Sequence, residues 1–205
     1  MHAGSQTPCT AFEGARRIAS GHLAEVASKA KAAVDKGRQV LIFDDASSES
    51  IEVDFRGTVD DVLQRLAERD RKESPAVATA DTPRGPGRPK LGVVAREITL
   101  LPRHWDWLNT QPGGASVALR KLVEAARRAN EGKDRVRQSQ EAAYRFMSAM
   151  AGNRPGFEEA TRALFAGRRE RFEQLISPWP RDVRDHARKL ADAAFEDRAA
   201  SREAS

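Results

Sequence analysis

The chain has 205 residues, 40% hydrophobic and 32% charged, with a net charge of +5 and one cysteine, Cys9. That length accommodates one ordinary domain with extra pieces, or two small ones. A lone cysteine excludes an internal disulfide framework and a cysteine-based zinc site, and no apolar run approaches the roughly 20 residues that cross a bilayer. With no secretory-type apolar segment either, the expected location is the cytoplasm, with no membrane association.

The elements are predicted in chain order. Thr10–Ser20 places Phe12 and Ile18 in even phase, a strand with Gly14 as its weak point. The next segment is a helix with Leu23, Val26, Ala27, Ala30 and Val34 on one face and Gly37 as its stop. RQVLIF is a short buried strand. IEVDF is a third strand, with Ile51, Val53 and Phe55 on one side. Thr58 then caps a helix whose first turn carries Asp60 and Asp61, both favourable beside a helix N-terminus. This gives a β-α-β-β-α unit over residues 10–70. Residues 71–90 are Pro-, Gly- and Thr-rich between charges, a flexible basic linker. A ribbon-helix-helix-like segment occupies 91–131, and a helical region occupies 132–197. In that last region Val136, Tyr144, Met147 and Met150 form one stripe, and Val183, Ala187, Leu190 and Phe195 form another. The fold class is α+β with a mostly helical C-terminal region.

Charge is unevenly distributed. Residues 1–70 carry 9 Lys/Arg against 12 Asp/Glu, whereas residues 84–145 carry 13 against 6, a local balance of +7. Concentrated basicity is the footprint of a polyanion partner, and a solvated arginine-rich surface is the alternative.

Within the basic stretch, REITLL reads as a strand. Pro102 opens a helix with Trp105 and Leu108 at i, i+3. After a Gly-Gly turn, Ser116 stands at the N-cap of a second helix whose inner face is Leu119, Leu122, Val123 and Ala126. Order and spacing resemble the ribbon-helix-helix family of DNA-binding dimers. There a strand pairs with its twin to form a ribbon that enters the major groove, and the second helix N-terminus holds a phosphate. The resemblance implies a homodimer. It puts Leu101, Thr99 and Glu97 inward and Leu100, Ile98 and Arg96 toward the groove. The opposite phase buries Ile98 and Leu100 and turns Glu97 and Thr99 to the DNA. Neither phase supplies a basic triplet.

The arm RGPGRPK has a G-R-P core resembling an AT-hook, in which Arg88 would enter a narrow A·T-rich minor groove while Arg84 and Lys90 meet phosphates. Pro86 stands where that motif usually has a first Arg. The candidate DNA-binding set is therefore Arg84, Arg88, Lys90, Arg96, Arg103 and Ser116. Trp105 and Trp107, at i and i+2, point to different sides of their helix. Trp105 is the expected core residue and Trp107 the expected contact with another surface.

Signals for catalysis are poor. Asp44 and Asp45 end a buried strand, but a dehalogenase-type phosphatase needs carboxylates at i and i+2, and position 46 is Ala. Asp182 and His186 at i, i+4 have no second His or Cys to complete a metal site. The expectation is a non-enzymatic protein without a cofactor.

From end to end, the stretches FEGARRIASGHLAEVA, VLIFDDASSESIEVDFRGT, GRPKLGVVAREITLLPRHWDWLNTQPGGASVALRKLVEAARR and NRPGFEEATRALFAGRRERFEQLISPWPRDVRDHARKLA resemble an uncharacterised bacterial family, domain of unknown function 2239. The resemblance implies a bacterial protein and brings no activity with it. The residues themselves point to a DNA-binding homodimer with a regulatory role in transcription. The alternative is a protein-interaction or scaffold module that binds no nucleic acid.

Overall fold

The structure, a computed structural model, describes residues 4–73, 94 and 96–203, with backbone alone at 73 and 199–203. The chain divides into two compact units: residues before 76 join those from 132 onward in one, and 76–131 form the other.

The first unit is built on a three-stranded antiparallel sheet of order β2-β1-β3, with β1 Pro8–Glu13, β2 Arg16–His22 and β3 Val40–Asp44. Helix α1 (Leu23–Val34) follows β2 directly, and α2 (Val59–Glu73) follows β3. The α+β class holds. The local order, however, is β-β-α-β-α rather than β-α-β-β-α. Gly14 has φ +56°, which only glycine adopts freely, so the segment read as one strand reverses into a hairpin. The register shifts between Ala11 and Phe12, and Ile18 is the extra residue of the bulge.

The third expected strand, 51–55, is not a strand. Among the described residues its pairing is limited to a bridge from Ser50 to Phe43 and the Ile51 N–H donating to the Ile42 carbonyl at 2.8 Å. Arg65 donates to the carbonyls of Asp54 and Arg56, groups that a neighbouring strand would otherwise use. Ile51, Val53 and Phe55 still turn to one side and pack on the α1 face.

β1 is central and buried on both faces, and its period of two sorts its side chains. Cys9 and Ala11 face Val26, Ala27 and Ala30 of α1 and Val62 and Leu66 of α2. Phe12, with Phe43 of β3, enters a second core shared with α4 (Gly114–Ala151), α5 (Phe157–Ala166), α6 (Arg169–Ile176) and α7 (Arg181–Glu203). Phe146 lies 5.4 Å from Phe12 and 5.3 Å from Phe43 between ring centroids. The α4 stripe that enters this core is Ala143, Phe146 and Met147; Tyr144 is exposed and Met150 only partly buried. Val183, Ala187, Leu190 and Phe195 are buried as expected. Thr58 and Asp61 form a reciprocal cap: Asp61 accepts from the Thr58 N–H at 2.7 Å, and the Asp61 N–H donates to the Thr58 hydroxyl at 3.2 Å. Among the described residues no helix is long and apolar enough to cross a membrane.

The second unit contains α3 (Pro102–Asn109), with Pro102 in its first turn, and the start of α4. Residues 96–101 belong to no strand of the described chain.

Candidate nucleic-acid interface

Pro102 opens α3 because its fixed φ suits a first turn, where its missing N–H is not needed. The helix ends at Thr110, and Gly113 and Gly114, at φ +85° and +75°, turn the chain into α4. That turn starts the helix three residues earlier than the sequence implied. Ser116 therefore lies in the first turn of α4, not at its N-cap, and its carbonyl accepts from the Arg120 guanidinium at 3.1 Å. Helix α4 is also one continuous 38-residue helix where two were expected.

Arg96, Arg103 and Ser116 are all exposed. Arg84, Arg88 and Lys90, and with them the AT-hook-like arm, lie outside the described residues. The first part of α4 contributes basic groups that the motif reading passed over. Arg120, Lys121, Arg127 and Arg128, at spacings of one, seven and eight, share one side of the helix and are exposed. Glu124 sits among them and accepts from Arg127 at 3.0 Å and Arg128 at 3.1 Å, which holds its carboxyl below the usual range. The signal for this basic side was present in the helical spacing of the charges.

The opposite side of the same helix is apolar. Leu119, Leu122, Val123 and Ala126 follow i, i+3, i+4, i+7, yet Val123 is 64% and Leu122 48% exposed. Ile98, Leu101, Trp105 and Trp107 are exposed as well. Trp105 is thus not the core residue of α3; Leu108 is, at 2% exposure. A segment without strand pairing, one short helix and the first turns of a long one are too few to enclose such side chains.

The carboxylates considered for chemistry serve the fold of the first unit. Asp44 accepts from the N–H groups of Ala46 and Ser47, at 2.9 and 2.7 Å, and closes the turn after β3. Asp45 accepts from the Thr10 hydroxyl at 2.7 Å and lies 3.6 Å from the Lys189 ammonium. Asp182 accepts from the Arg17 N–H at 2.9 Å. His186 is not its metal-binding mate but a buried ring between Phe12 and Phe146. Among the described residues no group of three or more His, Cys, Asp or Glu is placed to hold a metal ion.

These features define an α+β protein with a helical C-terminal region and a two-helix unit that is basic on one side and apolar on the other. The chain belongs to a bacterial family described as "Uncharacterized protein conserved in bacteria (DUF2239)", whose model matches residues 8–191. No curated protein and no solved structure matches it.

Proposed function

We propose that the protein binds duplex DNA as a homodimer, with residues 91–131 as the dimerising and DNA-contacting unit and a regulatory role in transcription. One observation carries the reading: the two sides of α4 in this unit. The uncovered apolar stripe of Leu122 and Val123, with Ile98, Leu101 and Trp105 nearby in sequence, requires a partner surface. A second copy supplies an identical stripe and allows two 96–101 segments to pair. The basic side with Arg120, Lys121, Arg127 and Arg128 then stays open to phosphates. Arg96 and Arg103 are further exposed cations of the same unit, and the sequence adds Arg84, Arg88 and Lys90 just before it. Such contacts position a protein on DNA without reading bases, in keeping with the aliphatic Ile98 and Leu100 of the 96–101 segment.

The test is fluorescence anisotropy of a labelled duplex titrated with the full chain at several salt concentrations, beside sedimentation equilibrium. The expected result is a dimer whose log affinity falls linearly with log salt, by about 0.9 for each phosphate neutralised. Absence of binding at low salt refutes the DNA reading. Half-exposed Trp107 favours a second reading, a protein-interaction module. In that case a monomeric chain without DNA affinity is expected.

A further inference from the structure

We propose that the hollow between the β1–β2 hairpin and α1 binds a small phosphate-bearing anion. It lies wholly within the first unit and does not rest on the DNA reading. Helix α1 buries the side carrying Leu23, Val26, Ala27 and Ala30. Its other side presents Lys29, Ala32 and Ala33, and Lys36 follows in the turn after the helix, at i, i+3, i+4, i+7. The two alanines leave space between the two lysines, and Ile18, on the β2 bulge, completes an apolar floor. Arg16 and Arg38 close the rim.

The arginines are held in place before any ligand arrives. Glu13, only 13% exposed at its side chain, accepts from Arg16 at 2.9 Å through one oxygen and from Arg38 through the other. Each guanidinium has five N–H donors and gives one to Glu13, so donors remain for a ligand. Lys29 and Lys36 make no ion pair among the described residues. Four cations therefore face one carboxylate, a local +3 in a segment whose overall balance over residues 1–70 is −3. The α1 C-terminus offsets only about half a charge of this. Glu13 is held below the usual carboxylate range by Arg38 and then Arg16, so this arrangement persists at neutral pH.

The charge calls for a multiply charged anion, and the shape limits its size. The hollow measures ≈ 230 Å³, below the roughly 300–1,000 Å³ of pockets for drug-sized ligands. A phosphate or diphosphate group has the oxygens to accept from several of these donors at once. A duplex would meet the rim alone and leave the floor empty.

The test is calorimetric titration of the full chain with sodium pyrophosphate, with ionic strength held constant by sodium chloride. Saturable binding is expected. The double variant Lys29→Gln/Lys36→Gln should weaken it at least tenfold. Ala32→Phe, which fills the hollow without changing charge, should weaken it similarly, and Lys133→Gln should leave it unchanged. All four positions are exposed, and thermal unfolding followed by circular dichroism verifies that each variant is folded. No saturable binding by the wild type overturns the proposal. So does wild-type affinity in Ala32→Phe, which would mean surface charge alone. Labelled duplex forms the last arm: a tenfold loss of duplex affinity in the lysine variant, with pyrophosphate unable to compete, would assign the face to DNA instead.

Discussion

His186 should make stability fall steeply in mild acid. Its ring is 2% exposed on α7, 4.5 Å from Phe146 and 5.4 Å from Phe12, and its Nε2 has no hydrogen-bond partner among the described residues. Burial pushes its pKa down from 6.5 to about 4; Asp45 opposes the shift, and Lys189 and Arg17 add to it. The unfolded chain therefore takes up this proton near pH 6.5 while the folded chain resists it. The stabilising contribution is complete above pH 6.5 and is lost as pH falls toward 4. At 1.36 kcal/mol per pH unit, the full loss is roughly 3 kcal/mol, of which about 2 kcal/mol is gone at pH 5. His186→Phe keeps an aromatic ring between Phe12 and Phe146 and removes the titration. Urea unfolding of both proteins at pH 7.5 and pH 5.0 gives the comparison, since other carboxylates contribute equally to each. Wild type should lose about 2 kcal/mol more than the variant. Equal losses would show that the ring is solvated or paired, and the argument from burial would fail.

Cys9 is fully buried and its thiol is pushed up to about 12 by burial and by Asp45 and Asp44, so a disulfide reagent at pH 8 should label it only after denaturation. Thr58→Ala removes one half of the reciprocal cap on α2 and should cost about 1 kcal/mol in urea unfolding. Val123→Asp puts a charge into the exposed apolar stripe and should turn a sedimenting dimer into a monomer; an unchanged dimer would move the interface elsewhere. Arg88→Lys keeps the charge but not the planar guanidinium, so anisotropy should show reduced preference for A·T-rich duplex with mixed-duplex affinity nearly intact.

The helices were legible because their signals are local. Pro102, the Thr58 cap and Gly37 mark ends that the structure keeps, and Gly37 has φ +72°. The strands were less legible because pairing is not local. IEVDF alternates as a strand should, yet Arg65, eleven residues on, occupies the carbonyl of Asp54 within it and that of Arg56 just after it. The hairpin at Gly14 was missed because Phe12 and Ile18 share an even phase in the sequence, whereas the turn and the bulge send them to opposite faces, Phe12 into the core with Phe146 and Ile18 against the α1 side. In the candidate interface, periodicity found the apolar stripe of α4 correctly and misjudged its fate. An apolar face reads the same in sequence whether its own chain or another covers it. Nothing in the spacing of residues 143–187 revealed that they cover β1, since that contact spans more than 100 residues.

The two-sided burial of β1 also bears on how the chain is made. The face of the sheet toward α1 and α2 can be covered once about the first 70 residues have emerged. Phe12 and Phe43 cannot be covered until Phe146 and then Ala187 follow them, with the whole second unit synthesised in between. At roughly 5–20 residues per second, that leaves an aromatic sheet face open for on the order of 10 s. Closing so long a loop also slows folding of the completed chain, because its entropy is lost before the contact forms. A chain truncated before α4 leaves Phe12 and Phe43 uncovered and should aggregate through this face, giving light scattering above that of the full chain.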